Sequence, residues 1–592
     1  MSENFNNLLN ERTYFLPHHL QAGRYYSSWG SEHQSLEKLI TFLFYIFDQG
    51  HTAYTVGDLP QAWKTFSDQV QKPELTIPKW NQIEENPGIF GSPDPSEGGL
   101  TPFVLSGGRL WLRRNWEEEQ LLSQGLKTLN SRSPLNWGVD TTVPRYQDLD
   151  ILQKQAVEKA LGKGIFLLSG GPGTGKTFSL TQILIQYLLK NPLLPVYLCA
   201  PTGRAADRIR VSIRKELARK DYENWNPALL TRIRNLPAQT LHRLLGGRKK
   251  DTPLISGLVI LDEASMTDLH KMTELVTALN LEESHLLLSG DKDQLPSVES
   301  GAILADLTQK GLEQKEILPL SILQKCFRSD TQELVLFSRR IVGFGFPPPA
   351  PVTLEDFRNL PPLVPLKWVE APPEDSSTQD LSHLVNALVE EYLKDYPSAG
   401  QFKIPTFSPG TREAQDPRMT KLFQKLEEKV FLCAGQSGYL GWKNLNLKIQ
   451  IARGQKVPWF PGMPVLVKEN NYNLGVFNGD RGLVFEDGKK KLWVLFPQEE
   501  SFLRVPVGLL EDTLEPAWAM TIHKSQGSEY RQVWVFLPEK GEGLLTKQIL
   551  YTGITRASEK VTLVAGEKAL TRALSADTHR QSGLYEALSG GN

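Results

Sequence analysis

A glycine-rich segment covers residues 170–177 and reads Gly-Gly-Pro-Gly-Thr-Gly-Lys-Thr. It follows the apolar run 164–169 and precedes the amphipathic stretch 178–189, so the sequence predicts a strand, a loop and a helix in that order. Glycines let backbone N–H groups curl around phosphate oxygens, and the start of the helix adds partial positive charge. The alternative, a chance glycine-rich turn, is disfavoured by this context. The predicted nucleoside triphosphate site contains Gly170, Gly171, Pro172, Gly173, Thr174, Gly175, Lys176 and Thr177.

Four side chains in and near this loop have the types that phosphoryl transfer needs. Lys176 can reach the β- and γ-phosphates, and the Thr177 hydroxyl can ligate Mg²⁺. The apolar strand 258–261 ends in Asp262 and Glu263, which places two carboxylates beside the loop. Asp262 would hold Mg²⁺, and Glu263 would polarise the attacking water. The alternative is an ordinary strand end with an acidic helix cap. ATP and Mg²⁺ are therefore the expected cofactors.

Gln294 follows the next apolar strand, in the segment 288–297. A glutamine amide donates and accepts hydrogen bonds at once, so it can contact the γ-phosphate or the attacking water. Simple turn chemistry is the alternative for an amide in such a loop. Gln294 is therefore a candidate sensor of the nucleotide.

The composition limits the class of protein. A chain of 592 residues is too long for one core, so three or more domains are expected. The cysteines Cys199, Cys326 and Cys433 are widely separated, which indicates free thiols in a reducing cytoplasm. We expect no signal peptide and no membrane span, because the start is polar and the apolar runs are short. The net charge is −1, so the chain has no overall basic excess. We therefore expect any DNA contact to be confined to a channel or shared with partner subunits.

The pattern of elements predicts an α/β fold with more than one sheet. Strand and helix alternate from about residue 148 to 318, which is typical of a doubly wound parallel sheet. Residues 345–375 are rich in proline and predict an extended loop. Short strands at regular spacing over 457–511 predict a small barrel. Two later apolar strands, at 532–537 and 560–564, complete a second α/β unit.

Further motifs in this order make the chain resemble superfamily 1 DNA helicases. The matching segments after the loop are 200–206, 239–246, 323–329, 519–530 and 550–557. Gln153, ahead of the loop, resembles the glutamine with which these helicases read adenine. Arg328 and Arg556 lie outside the first α/β unit and can reach ATP across a cleft, where a guanidinium would stabilise charge on the transferring phosphoryl group. Surface ion pairs are the alternative for both arginines.

Polar side chains in these motifs are candidates for binding DNA phosphates, which positions a strand without reading its sequence. For His242, a capping or core histidine is the alternative. Motif V, within 519–530, could bridge DNA phosphate and nucleotide, and so couple strand position to closure of the cleft. The candidate DNA-binding residues are Thr202, Arg204, Thr240, His242, Thr521, His523, Lys524, Gln526 and Ser528.

The resemblance narrows to the RecD family, the alpha subunits of RecBCD exonucleases (exodeoxyribonuclease V). It is carried by TIHKSQGSEY (521–530), YTGITRASEKVTLVAG (551–566) and the segment 459–482. It implies an ATP-dependent DNA helicase of 5′ to 3′ polarity that acts on single strands and double-stranded ends in recombinational repair. It also implies RecB-like and RecC-like partners, one of which would carry the nuclease. A prominent strand-separating pin is not expected, because the segment between Leu245 and Leu258 is short.

The resemblance also implies a domain plan with two RecA-like P-loop domains. Residues 1–125 would form a mainly helical N-terminal domain that docks on a partner, and 126–147 a linker. The first RecA-like domain would span 148–322. The second would comprise 323–456 and 512–592, interrupted by an SH3-like β-barrel at 457–511.

Two other functions are consistent with a nucleotide site. One is a free-standing superfamily 1 helicase of replication restart or conjugation. The long free-standing RecD-like helicases carry helix-hairpin-helix repeats, which this sequence does not show, and no relaxase-like histidine cluster supports conjugation. The other is a scaffold with a vestigial ATP site, against which the intact set Lys176, Asp262, Glu263, Gln294, Arg328 and Arg556 argues.

Overall fold

The structure is a computed structural model of the chain. It describes residues 15–590 except 31–32, 70–77, 95, 97–98, 133–134, 136, 247–253, 310–316, 328–331, 345–348, 374–377, 406–412, 415, 472, 499–500, 540–544 and 579. Arg328 and most of the segment considered for a strand-separating pin therefore lie outside the described residues. Within the described ranges, no helix combines the length and apolar character needed to cross a membrane.

The N-terminal unit packs helices on a small sheet of strand order β1-β4-β3-β2. Its helices are α1 (Pro17–Ser27), α2 (His33–Asp48), α3 (Leu59–Gln69) and α4 (Gln82–Glu85). Its strands are β1 (Ala53–Thr55), β2 (Phe90–Gly91), β3 (Phe103–Ser106) and β4 (Arg109–Leu112). The apolar residues that recur at helical spacing along α2 are all buried, as the sequence pattern predicts for a core stripe.

Helix α5 (Arg113–Ser131) continues directly from β4 and packs with the first α/β domain. Its residues Leu122, Leu126 and Leu129 pack in the same core as the first parallel sheet. A side chain at Gly125 would collide with Val276, so glycine permits the close approach of α5 to the neighbouring helix. The predicted boundary at residue 125 and the linker from 126 differ from this arrangement, because both would cut one continuous helix.

The first α/β domain contains a six-stranded sheet, and every pair in it is parallel, which confirms the predicted doubly wound fold. The strand order is β10-β5-β9-β8-β6-β7. The strands are β5 (Ile165–Gly170), β6 (Val196–Ala200), β7 (Ala238–Thr240), β8 (Leu258–Leu261), β9 (His285–Gly290) and β10 (Leu320–Leu323). The helices are α6 (Ile151–Ala160), α7 (Lys176–Lys190), α8 (Gly203–Leu217), α9 (Pro227–Arg234), α10 (Leu241–Leu245), α11 (Leu269–Ala278) and α12 (Ile303–Leu307).

The second α/β domain has a five-stranded parallel sheet of order β11-β22-β21-β14-β20. Its strands are β11 (Leu366–Glu370), β14 (Lys429–Cys433), β20 (Ala519–Thr521), β21 (Tyr530–Leu537) and β22 (Ala557–Ala565). The helices of this half are α13 (Gln332–Ile341), α14 (Leu354–Arg358), α15 (Thr378–Leu393), α16 (Pro417–Glu428), α17 (Trp442–Ala452), α18 (Lys547–Ile554) and α19 (Glu567–Ser575). Together the two parallel sheets confirm the predicted α/β class.

A further sheet is mostly antiparallel and lies within the second half of the chain. We call it the third sheet, counted after the two parallel sheets. Its order is β13-β18-β17-β16-β15-β19, and β12 pairs in parallel with β16. The strands are β12 (Lys403–Ile404), β13 (Glu413–Ala414), β15 (Pro464–Val467), β16 (Arg481–Asp487), β17 (Leu492–Pro497), β18 (Ser501–Pro506) and β19 (Leu514–Pro516). Only β15 to β18 fall in the predicted insertion 457–511. The SH3-like architecture of this sheet stays a prediction.

The end of the chain crosses back to the N-terminal unit, and we call residues 580–590 the C-terminal strap. Gln581 is its anchor: the backbone oxygen accepts hydrogen bonds from the backbone of Thr52 and Ala53. The Gln581 side chain accepts from the Thr55 backbone at 2.8 Å and donates to Asp58 at 2.9 Å. Every polar group of Gln581 is used, because its backbone N–H also donates to a histidine, His51.

The strap then packs on the first α/β domain through α20 (Leu584–Ser589). Leu584 and Leu588 share a core with α5 and the first parallel sheet. The buried carboxylate of Glu119 on α5 accepts a hydrogen bond from the strap backbone at Gly583. The sequence placed all of 512–592 in the second RecA-like domain. The strap corrects this, since its contacts are with the N-terminal unit and the first domain.

We expect Gln581→Ala to destabilise the attachment of the N-terminal unit. Loss of two side-chain hydrogen bonds leaves the Thr55 N–H without its partner, which costs about 1 to 3 kcal/mol in free energy of unfolding. Urea denaturation of the full chain measures this change, and Gln61→Ala, at an exposed helical glutamine, is the control. Equal stability of the two variants would contradict the anchoring role.

Candidate active site

The glycine-rich loop joins the fully buried strand β5 to helix α7, as the sequence predicts. Gly173 and Gly175 have φ angles of +74° and +79°, in the left-handed region that side chains avoid. A side chain at Gly175 would also collide with the amide of Gln153. The loop therefore needs glycine at both positions to expose its backbone N–H groups toward a phosphate.

A cavity opens in front of the loop, and both α/β domains contribute to its wall. The first domain supplies Gly171, Pro172, Gly173, Thr174, Gly175, Lys176, Thr177, Phe178, Ala205, Arg208, Ile209, Asp262, Glu263 and Gln294. The second domain supplies Ser528, Glu529, Thr555 and Arg556. The structure thus brings most of the predicted nucleotide-site residues into one cavity between two domains.

Lys176 is folded onto its own loop. Its Nζ donates to the backbone oxygens of Gly170 at 2.5 Å and Gly171 at 3.3 Å. These carbonyl groups are neutral acceptors, whereas phosphate oxygens are charged and form stronger hydrogen bonds with an ammonium group. A triphosphate entering the cavity would therefore draw Lys176 away from the loop carbonyls.

Asp262 is partly buried at the end of β8, and its Oδ1 accepts a hydrogen bond from the Ser289 hydroxyl at 2.8 Å. Burial is the main cause that raises the pKa of Asp262, and the neighbouring Glu263 carboxylate adds to it. A cation would offset both effects. Thr177 lines the same cavity, and a hydroxyl with a carboxylate is the donor set that Mg²⁺ takes in nucleotide sites. The two residues therefore fit a magnesium ion.

Glu263 has a left-handed backbone with φ of +53°. Such a conformation is uncommon for a residue other than glycine and costs of the order of 1 kcal/mol or more. The turn 264–266 that follows holds it there and directs the residue into the cavity. Strained backbone of this kind is found at catalytic positions, which agrees with the role predicted for Glu263.

Gln294 is almost fully buried beside the cavity, with 5% of its surface exposed. Its Nε2 donates to Oδ2 of Asp291 at 3.2 Å, and its Oε1 has no hydrogen-bond partner. The same oxygen of Asp291 accepts a hydrogen bond from the Tyr551 hydroxyl of the second domain at 2.8 Å. The predicted sensor is therefore linked to the other domain.

Arg556 is the arginine that the second domain contributes to the cavity. It is buried, and it donates to the backbone oxygens of Thr552 at 3.2 Å and Ser528 at 3.3 Å. Burial lowers the pKa of Arg556, and the carboxylate of Glu263, which lines the same cavity, opposes that shift. Arg328, the other predicted finger, lies outside the described residues.

Gln153 braces the loop. Its Nε2 donates to the Thr174 backbone oxygen at 3.1 Å, while its Oε1 accepts from the Asp150 backbone at 3.0 Å. A second cavity adjoins it, where the Arg145 guanidinium lies 4.7 Å from the ring centroid of Phe178. This cavity can hold a nucleobase, but Gln153 has one amide N–H left for it. Adenine reading by Gln153 stays a prediction.

Two threonines predicted to bind DNA cap helices in this structure. The hydroxyl of Thr202 accepts from the Ala205 backbone at the start of α8, and Thr240 caps α10 in the same way. Arg204 forms an ion pair with Glu427 of the second domain at 2.9 Å. Burial lowers the pKa of His242, so a neutral imidazole is favoured there. DNA binding by these residues stays a prediction.

The predicted residues of motif V make different kinds of contact. Gln526 donates to the Leu295 backbone oxygen at 2.8 Å, and Ser528 lines the nucleotide cavity, so both belong to the interface between the domains. Lys524 pairs with Glu515 at 2.5 Å. The remaining members are Thr521, which accepts from the Lys524 backbone at 3.4 Å, and His523, whose pKa burial lowers.

Three residues of the cleft were not predicted from the sequence. Arg208, one helical turn after Arg204, lines the cavity and pairs with Glu529 at 3.0 Å, and the spacing along α8 was the signal for it. Tyr551 lies within 550–557, one of the segments that resemble superfamily 1 helicases. Arg339 on α13 is buried against the glycine-rich loop, and its place in an amphipathic helix gave no signal of that.

Comparisons with known proteins agree with this geometry. Residues 153–300 match a family model described as an AAA domain, and residues 516–564 match the UvrD-like helicase C-terminal domain. The chain is 31% identical over 538 residues to "RecBCD enzyme subunit RecD" of Haemophilus influenzae, covering 83% of this chain and 81% of that protein. It is 32% identical over 494 residues to the subunit of the same name from Mycobacterium tuberculosis, covering 80% and 79%.

More distant similarities were also found. The "ATP-dependent RecD2 DNA helicase" of Deinococcus radiodurans is 26% identical over 474 residues, which cover 76% of this chain and 54% of that protein. The structure of Bacteroides Pif1 bound to single-stranded DNA overlaps with a TM-score of 0.36 at 15% identity, covering 72% of this chain and 93% of that one. An overlap of this size adds nothing to the assignment of the fold.

Two parallel α/β domains that share one P-loop cavity define a P-loop ATPase with a two-domain motor core. The similarity to the RecD subunits, at 31% and 32% identity, extends over about four fifths of the chain. The chain belongs to the RecD family.

We expect Glu263→Gln to bind ATP but to hydrolyse it at least about 100-fold more slowly, because the amide cannot polarise water as a carboxylate does. Nucleotide binding and steady-state hydrolysis with single-stranded DNA measure both quantities. Lys176→Ala is the matched comparison and should lose hydrolysis together with affinity for the triphosphate. Hydrolysis by Glu263→Gln near the wild-type rate would remove the assigned role.

Arg556→Ala should lower kcat by about 100-fold and leave the dissociation constant for ATP nearly unchanged, since a finger acts on transition-state charge. The control is Arg531→Ala, at an arginine that pairs with Glu559 on the surface of the same domain. Pre-steady-state binding and turnover separate the two effects. Weakened binding at constant kcat would contradict this prediction.

Proposed function

We propose that this chain is the ATP-dependent helicase subunit of a RecBCD-type complex that processes double-stranded DNA ends for recombinational repair. One observation carries the proposal: Lys176 and Glu263 of one domain face Arg556 of the other in a single cavity. Hydrolysis in such a cavity depends on the relative position of the domains, and a motor needs that dependence. The names of the RecD relatives support the complex and the helicase activity.

The residues divide the chemistry of ATP hydrolysis among themselves. Glycines of the loop and Lys176 bind the phosphates, Glu263 orients and polarises the attacking water, and Arg556 stabilises charge on the transferring phosphoryl group. Thr177 and Asp262 would hold Mg²⁺, which supplies charge neutralisation when bound. Arg328, as the second arginine, belongs to the same proposal.

Single-stranded DNA would bind across both domains through backbone contacts. Thr202, Arg204, Thr240 and His242 of the first domain would contact the strand from one side, and the motif V residues of the second domain from the other. Translocation from 5′ to 3′ follows from the family resemblance. We place this activity in the cytoplasm, in agreement with the free thiols of Cys199 and Cys433 in the two domain cores.

The nuclease would belong to a partner subunit. The described residues bring His18, His19 and Asp48 together on the N-terminal unit. His19 Nδ1 accepts a hydrogen bond from the Leu16 backbone at 3.1 Å, so Nε2 carries the hydrogen that it donates to Asp48 at 3.0 Å. That nitrogen has no lone pair for a metal, and this cluster is not a nuclease centre.

The experiment is reconstitution with RecB-like and RecC-like subunits. The full chain should show ATP hydrolysis that single-stranded DNA stimulates, unwind a duplex with a 5′ overhang, and elute with the two partners in size-exclusion chromatography. Lys176→Ala should elute with them and unwind nothing through this motor. A chain without DNA-stimulated hydrolysis would be a scaffold, and an active chain that never joins the partners would be a free-standing helicase.

The N-terminal unit would be the docking element for a RecC-like partner. A chain that starts at Arg113 keeps α5 and therefore the core of the first domain, whereas a start after α5 would remove Leu122, Leu126 and Leu129 from that core. We expect the chain starting at Arg113 to retain DNA-stimulated hydrolysis and to elute apart from the partners. Co-elution of this shortened chain would show that the main contact lies elsewhere.

A further inference from the structure

The segment 291–295 of the first domain is hydrogen-bonded to the second domain at three points. Tyr551 on α18 donates its hydroxyl hydrogen to Asp291 Oδ2 at 2.8 Å. The Leu295 backbone N–H donates to the Thr552 hydroxyl at 3.1 Å, and its backbone oxygen accepts from Gln526 at 2.8 Å. All three hydrogen bonds are buried, where a donor or acceptor without a partner costs free energy. They therefore fix the position of this segment relative to α18.

Asp291 Oδ2 is the branching atom of this network. It accepts from the Tyr551 hydroxyl and also from Nε2 of Gln294 at 3.2 Å. Its other oxygen, Oδ1, accepts from the Asp293 backbone at 3.1 Å. With both oxygens held, the carboxylate has one orientation, and that orientation decides where the amide of Gln294 points.

The amide of Gln294 has two different ends. Its donor end, Nε2, donates to Asp291. Its acceptor end, Oε1, has no hydrogen-bond partner, although Gln294 lines the nucleotide cavity. Phosphate oxygens only accept hydrogen bonds, whereas water donates them. An acceptor without a partner, on a residue that lines the cavity, therefore suits the attacking water and not the γ-phosphate.

The side chain of Tyr551 is also held in place by its neighbours. It is buried on α18, and a side chain at Gly171 would come within 3.0 Å of its hydroxyl and 3.3 Å of the Arg339 guanidinium. The hydroxyl thus lies against the phosphate loop while it bonds to Asp291. Burial raises the pKa of Tyr551 well above its ordinary value, so the hydroxyl remains a donor at every working pH.

We propose that Tyr551 is a positioning residue for ATP hydrolysis: through Asp291 it sets the amide of Gln294 so that Oε1 accepts a hydrogen bond from the attacking water. The inference rests on the proposed function and adds to it the residue through which the second domain acts on the water. When the second domain moves, α18 carries Tyr551 and the segment of Arg556 together. Placement of the water and of the arginine would then occur in one motion.

The test is Tyr551→Phe in the full chain, which removes the hydroxyl and keeps the ring. We expect kcat with single-stranded DNA to fall about tenfold, the effect of losing one positioned hydrogen bond, while KM for ATP stays constant. Tyr187→Phe is the matched control, since that buried hydroxyl donates to the Ala160 backbone at 2.7 Å away from the cleft. It should lose similar thermal stability and keep its kcat.

A double-mutant cycle separates positioning from a general loss of structure. If Tyr551 acts through Gln294, Tyr551→Phe should slow the Gln294→Ala variant by no more than about twofold, whereas independent effects would multiply.

The outcomes are distinct. A wild-type chain that hydrolyses ATP and a Tyr551→Phe variant with equal kcat, or effects that multiply in the cycle, would overturn the positioning role alone. A change in KM without a change in kcat would also overturn it. A wild-type chain without DNA-stimulated hydrolysis would overturn the proposed function and this role together.

Discussion

The division of the proposed catalytic residues between two domains is the constraint on which the rest of the structure depends. Lys176, Asp262 and Glu263 cannot complete the cavity without Arg556, which sits on the other sheet. The position of one domain relative to the other must therefore be fixed as closely as hydrogen-bond geometry requires. Buried polar contacts provide that precision, because they are directional and costly to leave unpaired. The Tyr551–Asp291 hydrogen bond is one of these contacts.

Contacts at the edge of the cleft are of a different kind. Arg204 pairs with Glu427 and Arg208 with Glu529, both across the domains and both partly exposed to solvent. Exposed ion pairs contribute at most about 1 kcal/mol each, so they can exchange partners at little cost. They are suited to change as DNA or nucleotide enters, whereas the buried bonds around residues 291–295 hold their geometry. Because Arg204 and Arg208 lie one turn apart on α8, a shift of this helix would affect both ion pairs together.

The sequence predicted those features that depend on local pattern. The glycine-rich loop, the acidic end of β8 and the apolar stripe of α2 follow from residue types at fixed spacing, and the structure places them as expected. Features that depend on distant contacts were missed. Gln581 meets Thr52 across almost the whole chain, the two-residue strands of the third sheet show no periodicity, and the continuity of α5 through residue 125 is fixed by packing on α11. Tyr551 could be found only once Asp291 was seen to share an oxygen with Gln294.

Charge balance explains why the network around Asp291 tolerates burial. Asp293 pairs with Lys292 at 2.6 Å, and the Arg339 guanidinium acts on Asp293 from α13. Two acidic and two basic side chains thus meet between the domains, and Arg339 also donates to the Gln324 backbone. Of these four, Asp291 and Arg339 are buried, and removing a buried charge typically costs about 3 to 5 kcal/mol, because its partners are left uncompensated. A cluster that is neutral as a whole can stay next to the phosphate loop without neutralising the positive charge with which the loop binds the nucleotide. The same cluster fixes the Asp291 carboxylate that orients Gln294.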